Sequence, residues 1–267
     1  MKKSISLLYI IGVVGAFFFS ACSQIDADER LIDMEGVTAQ RKVLLEDYTG
    51  QFCMNCPKVH GFMETLHQEY GDNVVMVSVH ALNNGKTGGV LVEDGGLMLS
   101  LVDAYTDKFK VEALPAGIFN HAGTANSDTL SWRKAINDAI EQPSNVQLEI
   151  AAKVENTDLK IDTKVVALDE LSGSISLWVL EDSIVAPQRQ PDGSMNMKYV
   201  HNHVLRAVVN GTWGENITLA KGEEKLLSHI LSLDSTWVAK NLSVVAFVEE
   251  GASGVSQTEK CNVLIEE

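Results

Sequence analysis

Residues 43–57 read VLLEDYTGQFCMNCP, an apolar run followed by a short turn and two cysteines three positions apart. After the second cysteine, apolar residues recur at three- and four-residue steps until Gly71. That period is typical of a helix with one buried face, and the glycine is a stop signal. The stretch therefore predicts a strand, a turn, and a helix that opens at the cysteine pair.

A cysteine pair in this position is suited to thiol chemistry. Unpaired backbone N–H groups and the positive end of the helix dipole favour a thiolate at Cys53, and the thiolate is the form that attacks a disulfide. The spacing lets Cys53 and Cys56 close a small ring, so one thiol can attack and the other can resolve the mixed disulfide. Two alternatives stay open: half of a metal site, or an inert structural disulfide.

The residues around the pair exclude two kinds of site. There is no second Cys-x-x-Cys, so this chain alone cannot build a four-thiolate zinc site. Cys56 is followed by Pro57 and not by histidine, which excludes c-type haem attachment. His60 lies four residues after Cys56, where it would lower the pKa of that thiol, complete a partial metal site, or simply be half-buried. We assign no cofactor and no metal ligand.

A second apolar run, residues 74–79, lies between Gly71 and Asn83. A continuous run of this length indicates a strand buried on both faces, as in a parallel sheet that helices cover. Together with the first strand and the helix it makes a β-α-β unit.

The segment around the cysteines resembles the active-site segment of the thioredoxin-like superfamily. Asp47, six residues before Cys53, stands where that superfamily keeps a buried carboxylate, and residues 111–119, VEALPAGIF, resemble the segment with its cis-proline. The resemblance implies that Asp47 exchanges protons with the resolving Cys56, and that Pro115 lies against the cysteine pair and holds an incoming chain. The chain departs from thioredoxin in having Met-Asn between the cysteines and proline after them, which leaves the direction of exchange open.

The N-terminus has the layout of a secretory signal peptide, residues 1–21: a basic start, an apolar middle and small residues at the end. Cys22 directly after Ser-Ala resembles a bacterial lipoprotein signal, so we expect a lipid anchor on Cys22, with plain cleavage as the alternative. Residues 22–40 would then be the lipidated end and an acidic tether.

Composition limits the partners. The chain has 267 residues and a net charge of −15, which argues against nucleic acid and against direct adhesion to anionic lipid. With few cysteines in an exported protein, folding must depend on apolar cores. Cys261 would be a small buried hydrophobe, or else would pair with another chain.

From residue 146 onwards the pattern changes to strict alternation of apolar and polar residues with turn-formers between the runs. This predicts an antiparallel sandwich of seven or eight strands, with Trp178 as a core residue. His201 and His203 would share one face of a strand, as a start of a metal site without a third ligand, a structural pair, or a patch that faces the first domain. The predicted fold class is thus an α/β thioredoxin-like domain, residues 41–143, followed by an all-β immunoglobulin-like sandwich domain, residues 146–267.

Several motifs together resemble the outer membrane protein twenty-eight (Omp28) family of Gram-negative bacteria. They are the lipidation-like Cys22, the Cys-x-x-Cys-Pro segment, HNHVLR at residues 201–206, GTWG at 211–214 and VAFV at 245–248. The resemblance implies an outer-membrane lipoprotein that faces the periplasm or the cell surface.

The sequence leads to one main functional hypothesis and one rival. The main one is a lipid-anchored thiol–disulfide oxidoreductase with protein thiols or disulfides as partners, in which Cys53 attacks, Cys56 resolves, Asp47 takes up the proton and Pro115 docks the substrate. The rival is a surface adhesin or assembly protein in which the cysteines form a permanent disulfide. The sequence does not predict an oligomeric state.

Overall fold

The computed structural model describes residues 39–83 and 87–265. The predicted signal peptide, most of the tether and the lipidation site Cys22 lie outside the described residues. The α-helices are α1 (Cys56–Tyr70), α2 (Val102–Phe109) and α3 (Trp132–Ile140). None of the helices in the described part of the chain has the length and apolar character needed to span a membrane.

Strands dominate the structure. In the first half they are β1 (Val43–Thr49), β2 (Val74–His80), β3 (Leu82–Asn83), β4 (Thr87–Gly88), β5 (Ala116–Phe119) and β6 (Ala122–Asn126). In the second half they are β7 (Val146–Glu155), β8 (Asp158–Ala167), β9 (Leu171–Glu181), β10 (Ile184–Arg189), β11 (Met195–His201), β12 (Val204–Val208), β13 (Glu215–Leu219), β14 (Glu224–Ser232), β15 (Leu242–Glu249), β16 (Val255–Asn262) and β17 (Leu264–Ile265).

The main sheet is mixed and runs through both halves of the chain. Eight of its nine strands follow the order β16-β15-β9-β12-β2-β1-β5-β6, and the ninth, β13, pairs with β9. β1 is parallel to β2 and antiparallel to β5. The connection between the halves is the parallel contact of β12 with β2, at Val204 opposite Ser78, with the Ser78 amide donating to the His203 carbonyl at 2.7 Å.

The predicted fold class is wrong. The two halves do not form a thioredoxin-like α/β domain followed by a separate immunoglobulin-like sandwich, because strands of both halves pair edge to edge in one sheet and the protein is mostly β. One apolar cluster contains Leu44 and Val77 from the first half together with Trp178 and Phe247 from the second. Local periodicity identified the strands but holds no information on which distant strands pair, and that pairing decides the class.

The strands β1 and β2 are buried along their whole length. On one face of them, α1 and α3 cover a cluster that includes Leu45, Leu66 and Trp132. On the other face, α2 and the strands of the second half cover Tyr48 and Val79. Burial on both faces explains why these strands read as continuous apolar runs.

A second sheet, β14-β8-β7-β17, packs on the β9–β15 part of the main sheet. Its strands alternate between buried and exposed residues, as the sequence pattern predicts for a sheet with one wet face. Trp178, on β9, is fully buried, which confirms its predicted core position. The long β7–β8 hairpin begins at Val146, just after the predicted boundary at residues 143–145. The predicted domain limits themselves remain a prediction.

Candidate active site at the Cys53–Cys56 pair

Cys53 and Cys56 are joined by a disulfide, with their Cα atoms 5.5 Å apart. Helix α1 begins at Cys56, with Pro57 in its first turn, where a missing backbone N–H is tolerated. Cys53 precedes the helix and is 9% exposed, whereas Cys56 is fully buried. An incoming thiol therefore has more access to the sulfur of Cys53 than to that of Cys56.

The loop before Cys53 is held by the β10–β11 hairpin, which comes from the second half of the chain. The Gln188 side-chain amide donates to the carbonyls of Gly50 at 3.2 Å and Cys53 at 3.0 Å. The Arg189 backbone amide donates to the Gln51 carbonyl at 2.8 Å. These bonds satisfy carbonyls that a free turn would expose to water, and they fix the position of the first cysteine.

Asp47 lies near the end of β1, on the face covered by α1, and its side chain is fully buried. Neither of its carboxyl oxygens has a hydrogen-bond partner among the described residues. Burial raises the pKa of Asp47 to about 8, because removal from water disfavours the charged form. At neutral pH the carboxyl group therefore holds a proton and can donate it.

Pro115 follows a cis peptide bond from Leu114. Its neighbours Leu114 and Ala116 are buried in the same apolar cluster as both cysteines. Ala116 pairs with Tyr48 on β1, so Pro115 lies at the start of a strand beside the one that carries Asp47. The structure thus gathers Cys53, Cys56, Asp47 and Pro115 around one end of β1, while the roles assigned to them remain predictions.

His60, one turn after Cys56 on α1, faces Asp47. Its Nε2 is 2.8 Å from Thr49 Oγ1 and 3.7 Å from Asp47 Oδ2, and its Nδ1 is 2.8 Å from the Tyr199 hydroxyl. Burial, with the nearby rings of His201 and His203, lowers the pKa of His60 to about 4. It is therefore a neutral imidazole at pH 7, with one nitrogen able to donate and the other able to accept.

A cavity of about 300 Å³ opens beside His60 and is lined by further histidines. His80 and His201 are each 2% exposed, and their rings are 5.3 Å apart. Burial lowers the pKa of both imidazoles, so they too are neutral at pH 7. Within residues 39–83 and 87–265, no three His, Cys, Asp or Glu side chains are arranged to hold a metal ion.

The expectation that His201 and His203 share one face of a strand is wrong. Strand β11 ends at His201 and β12 starts at Val204, so His203 lies in the turn between them with a φ of 58°. It pairs with Asp182, whose pKa falls to about 2 because the hydrogen bond and charge of His203 outweigh burial. Both histidines nevertheless line the same cavity.

Cys261 is partly buried against the core between the two sheets and forms no disulfide with another described cysteine. Burial raises the pKa of its thiol to about 11, which keeps it protonated and unreactive at neutral pH.

Sequence reasoning missed three residues of this site: His80, Gln188 and Tyr199. The sequence does hold a signal for His80: it ends the apolar run of β2, and imidazoles are uncommon in a strand buried on both faces. Nothing in the sequence shows that the β10–β11 hairpin folds back over the cysteine loop, so Gln188 and Tyr199 carried no signal.

Comparisons with known proteins give a family and a fold. The model of the family described as Outer membrane protein Omp28 matches residues 102–265. None of the curated proteins matches the chain.

Among solved structures, HBP35 of Porphyromonas gingivalis is 16% identical with a TM-score of 0.66, covering 84% of this chain and 76% of that one. Protein AGR_C_4864 from Agrobacterium tumefaciens is 15% identical with a TM-score of 0.50, covering 84% and 95%. A domain of the outer membrane lipoprotein Omp28 from Porphyromonas gingivalis is 22% identical with a TM-score of 0.35, covering 46% and 92%. The first two matches show a shared fold and nothing about activity.

Proposed function

Since the chain belongs to the outer membrane protein Omp28 family, we propose that it acts at the outer membrane as a thiol–disulfide oxidoreductase through Cys53 and Cys56. Membership confirms the family and the outer-membrane lipoprotein localisation expected from the sequence motifs. The lipid anchor on Cys22 and the side of the membrane that the protein faces belong to the proposal. Its partners would be proteins with thiols or disulfides.

One observation carries the proposal: the disulfide at the start of α1 lies at the same end of β1 as Asp47, a fully buried carboxyl group with no hydrogen-bond partner among the described residues. A buried carboxyl group without a partner is costly to keep, since it loses the hydrogen bonds that water supplies. Groups with strongly perturbed pKa values are concentrated at functional sites. A protonated Asp47 at this end of β1 fits a proton donor and acceptor for thiol exchange at the cysteine pair.

The exchange runs as follows in the oxidising direction. A substrate thiolate attacks Cys53 Sγ, the bond between Cys53 and Cys56 breaks, and the electron pair stays on Cys56, which takes the proton of Asp47. A second thiolate of the substrate then attacks the mixed disulfide. The substrate leaves as a disulfide and the cysteine pair is left reduced; the reverse sequence reduces a substrate disulfide.

Trapping tests this proposal. In a Cys56→Ser variant the mixed disulfide on Cys53 cannot be resolved from within the protein, so partners should accumulate as covalent adducts in cells. The matched control is Cys53→Ser, which keeps one cysteine of the pair, the buried Cys56, but removes the accessible one and should capture nothing. Equal adduct patterns for the two variants, or no adducts at all, would overturn the proposal.

A second candidate function is a surface adhesin or binding protein with a permanent disulfide. It is favoured by β14, an edge strand whose apolar side chains Leu226 and Ile230 are 72% and 65% exposed. Exposed apolar side chains of this kind mark interaction surfaces. This function predicts that Leu226→Ser with Ile230→Ser abolishes the cellular role, whereas loss of both cysteines only lowers stability.

A further inference from the structure

In the proposed mechanism, the buried carboxyl group of Asp47 must exchange protons with water. Each exchange at Cys53 and Cys56 changes the protonation of Asp47, yet the side chain has no exposure to solvent. A buried carboxyl group that must turn over needs a chain of groups that carries protons to and from water. The groups that contact it decide which path the proton takes.

His60 occupies the position between Asp47 and the surface. Its side chain is 17% exposed, while that of Asp47 is 0% exposed. Its Nε2 points to the Asp47 and Thr49 side chains, and its Nδ1 meets the hydroxyl of Tyr199 at 2.8 Å. The two ring nitrogens thus face opposite ways, one toward the buried acid and one toward the hairpin.

Tyr199 continues the path outward. It is half-buried on β11 and lines the cavity of about 300 Å³ together with His60. Because Tyr199 is only half-buried, its side chain connects the imidazole of His60 with a position that reaches solvent.

We propose that His60 and Tyr199 form a proton path between Asp47 and the histidine-lined cavity. This inference rests on the proposed thiol exchange at Cys53 and Cys56. His60 is a positioning residue in this scheme, because it acts on the cysteines only through Asp47.

The proton steps balance. When Cys56 leaves as a thiolate it takes the proton of Asp47, and the new carboxylate takes the proton of His60 Nε2. The hydroxyl of Tyr199 protonates His60 Nδ1 in the same step, and water restores the hydroxyl. The electrons come from the thiols of the dithiol substrate, which leaves as a disulfide. The 3.7 Å between Nε2 and Oδ2 must shorten to about 3 Å, a tightening that is common once substrate is bound.

The groups around His60 favour transfer of a proton through the imidazole over its retention there as a charged imidazolium. The titratable and charged groups that face this path are Asp47 on β1, Glu64 on α1, His80 on β2, Tyr199 and His201 on β11, His203 in the following turn and Arg206 on β12. His201 and His203 act with burial to keep His60 uncharged. A neutral imidazole can accept at one nitrogen while it donates from the other, and so moves a proton without becoming a cation.

Chemical rescue tests the path. The full protein with His60→Ala is reduced by dithiothreitol, and the rate of loss of the Cys53–Cys56 disulfide is followed between pH 6 and 8, corrected for the thiolate concentration. Because general acid catalysis typically contributes about 10²–10⁴-fold, we expect a rate that is slower by at least about tenfold. Added imidazole, which fits the space left beside the cavity, should restore most of that rate. The control His67→Ala, an exposed histidine of the same helix, should react like the wild type.

A second variant keeps the test decisive if His60→Ala folds poorly. Tyr199→Phe retains the ring and its packing and removes only the hydroxyl, and we expect a smaller slowing, with a fall in the thermal midpoint no larger than the loss of one hydrogen bond causes. An unchanged rate in Tyr199→Phe and a His60→Ala rate that is normal or not rescued would each overturn the path. Dithiothreitol replaces the natural partner, so this result is independent of whether Cys56→Ser captures a protein in cells.

Discussion

Glu46 and Asp47 are neighbours on β1, both fully buried, yet they lie on opposite faces of the sheet in opposite circumstances. Glu46 has two partners: its Oε2 accepts from the Tyr48 hydroxyl at 3.1 Å and its Oε1 is 2.9 Å from His121 Nδ1. Asp47 has no hydrogen bond within the described part of the chain, and the His60 Nε2 lies 3.7 Å from its Oδ2. The two carboxyl groups lie on the same strand and are equally buried, so they differ in their hydrogen-bond partners.

The difference agrees with a structural role for Glu46 and with the proposed proton-transfer role for Asp47. His121 is enclosed by the rings of Tyr105, Phe109, Trp178, Trp213 and Phe247. Glu46 is thus locked into a packed aromatic layer by bonds that leave it little freedom to exchange protons. Asp47 instead faces His60 on α1, whose Nε2 lies 3.7 Å from Asp47 Oδ2.

The largest expected effect is a change in the pH dependence of stability in Asp47→Asn. The ordinary pKa of an aspartate in water is 3.8 and burial in the folded protein raises it to about 8, so the folded state holds an extra proton between these values. Stability from this group is therefore fully present below about pH 4 and is lost as pH rises to 8. Asparagine cannot ionise, so the variant should gain roughly 5 kcal/mol relative to the wild type across this window, at 1.36 kcal/mol per pKa unit.

Urea denaturation with the disulfide intact, at intervals from pH 4 to 9, measures this gain. Parallel stability curves for Asp47→Asn and the wild type would show that Asp47 is ionised when folded, and would remove the contrast with Glu46.

A somewhat smaller effect is expected for Glu46→Ala. Removal of one partner from a buried pair leaves His121 and the Tyr48 hydroxyl unpaired, which costs about 3–5 kcal/mol in comparable sites. The matched control is Glu69→Ala, which breaks an exposed pair with Arg133 and should cost under about 1 kcal/mol. Equal losses in the two variants, measured by urea denaturation at pH 7, would show that Glu46 does not have the structural role assigned to it.

The smallest effect concerns the hairpin on the Asp47 side. Gln188→Ala removes the donor for the carbonyls of Gly50 and Cys53, and a lost buried hydrogen bond costs about 1–3 kcal/mol. Gln142→Ala, at an exposed position, should leave the free energy of unfolding within about 0.5 kcal/mol of the wild type. If the two variants are equally stable, the hairpin does not hold the cysteine loop.

Local patterns in the sequence predict local structure well in this protein. The apolar run of β1, the helical period after Cys56 and the run of β2 gave elements that the structure contains within a few residues. The peptide bond before Pro115 is cis and Trp178 is buried, as the sequence predicts. Each of these depends on a few neighbouring residues, so its signal is contained in a short window.

Long-range pairing was not predictable in the same way. Val204 opposite Ser78 joins strands that are 126 positions apart, and a single contact of this kind turns two expected domains into one sheet. The same limit applies to the site. The two acidic residues Glu46 and Asp47 in an apolar strand are a visible signal for buried carboxyl groups. Their different partners, His121 and His60, lie in other elements, and no sequence pattern indicates that they meet these acids. The alternation of a strand predicts which face of the sheet a side chain lies on, but not which residues from other parts of the chain contact it there.

The equilibrium reduction potential of the Cys53–Cys56 pair, measured against glutathione in the purified protein at pH 7, tests the central claim most directly. If the pair exchanges with substrates and Asp47 protonates the leaving thiol, the potential should lie between about −270 and −120 mV, the range of thiol–disulfide oxidoreductases. A potential below about −300 mV, typical of permanent structural disulfides, would contradict the claim and favour the binding protein.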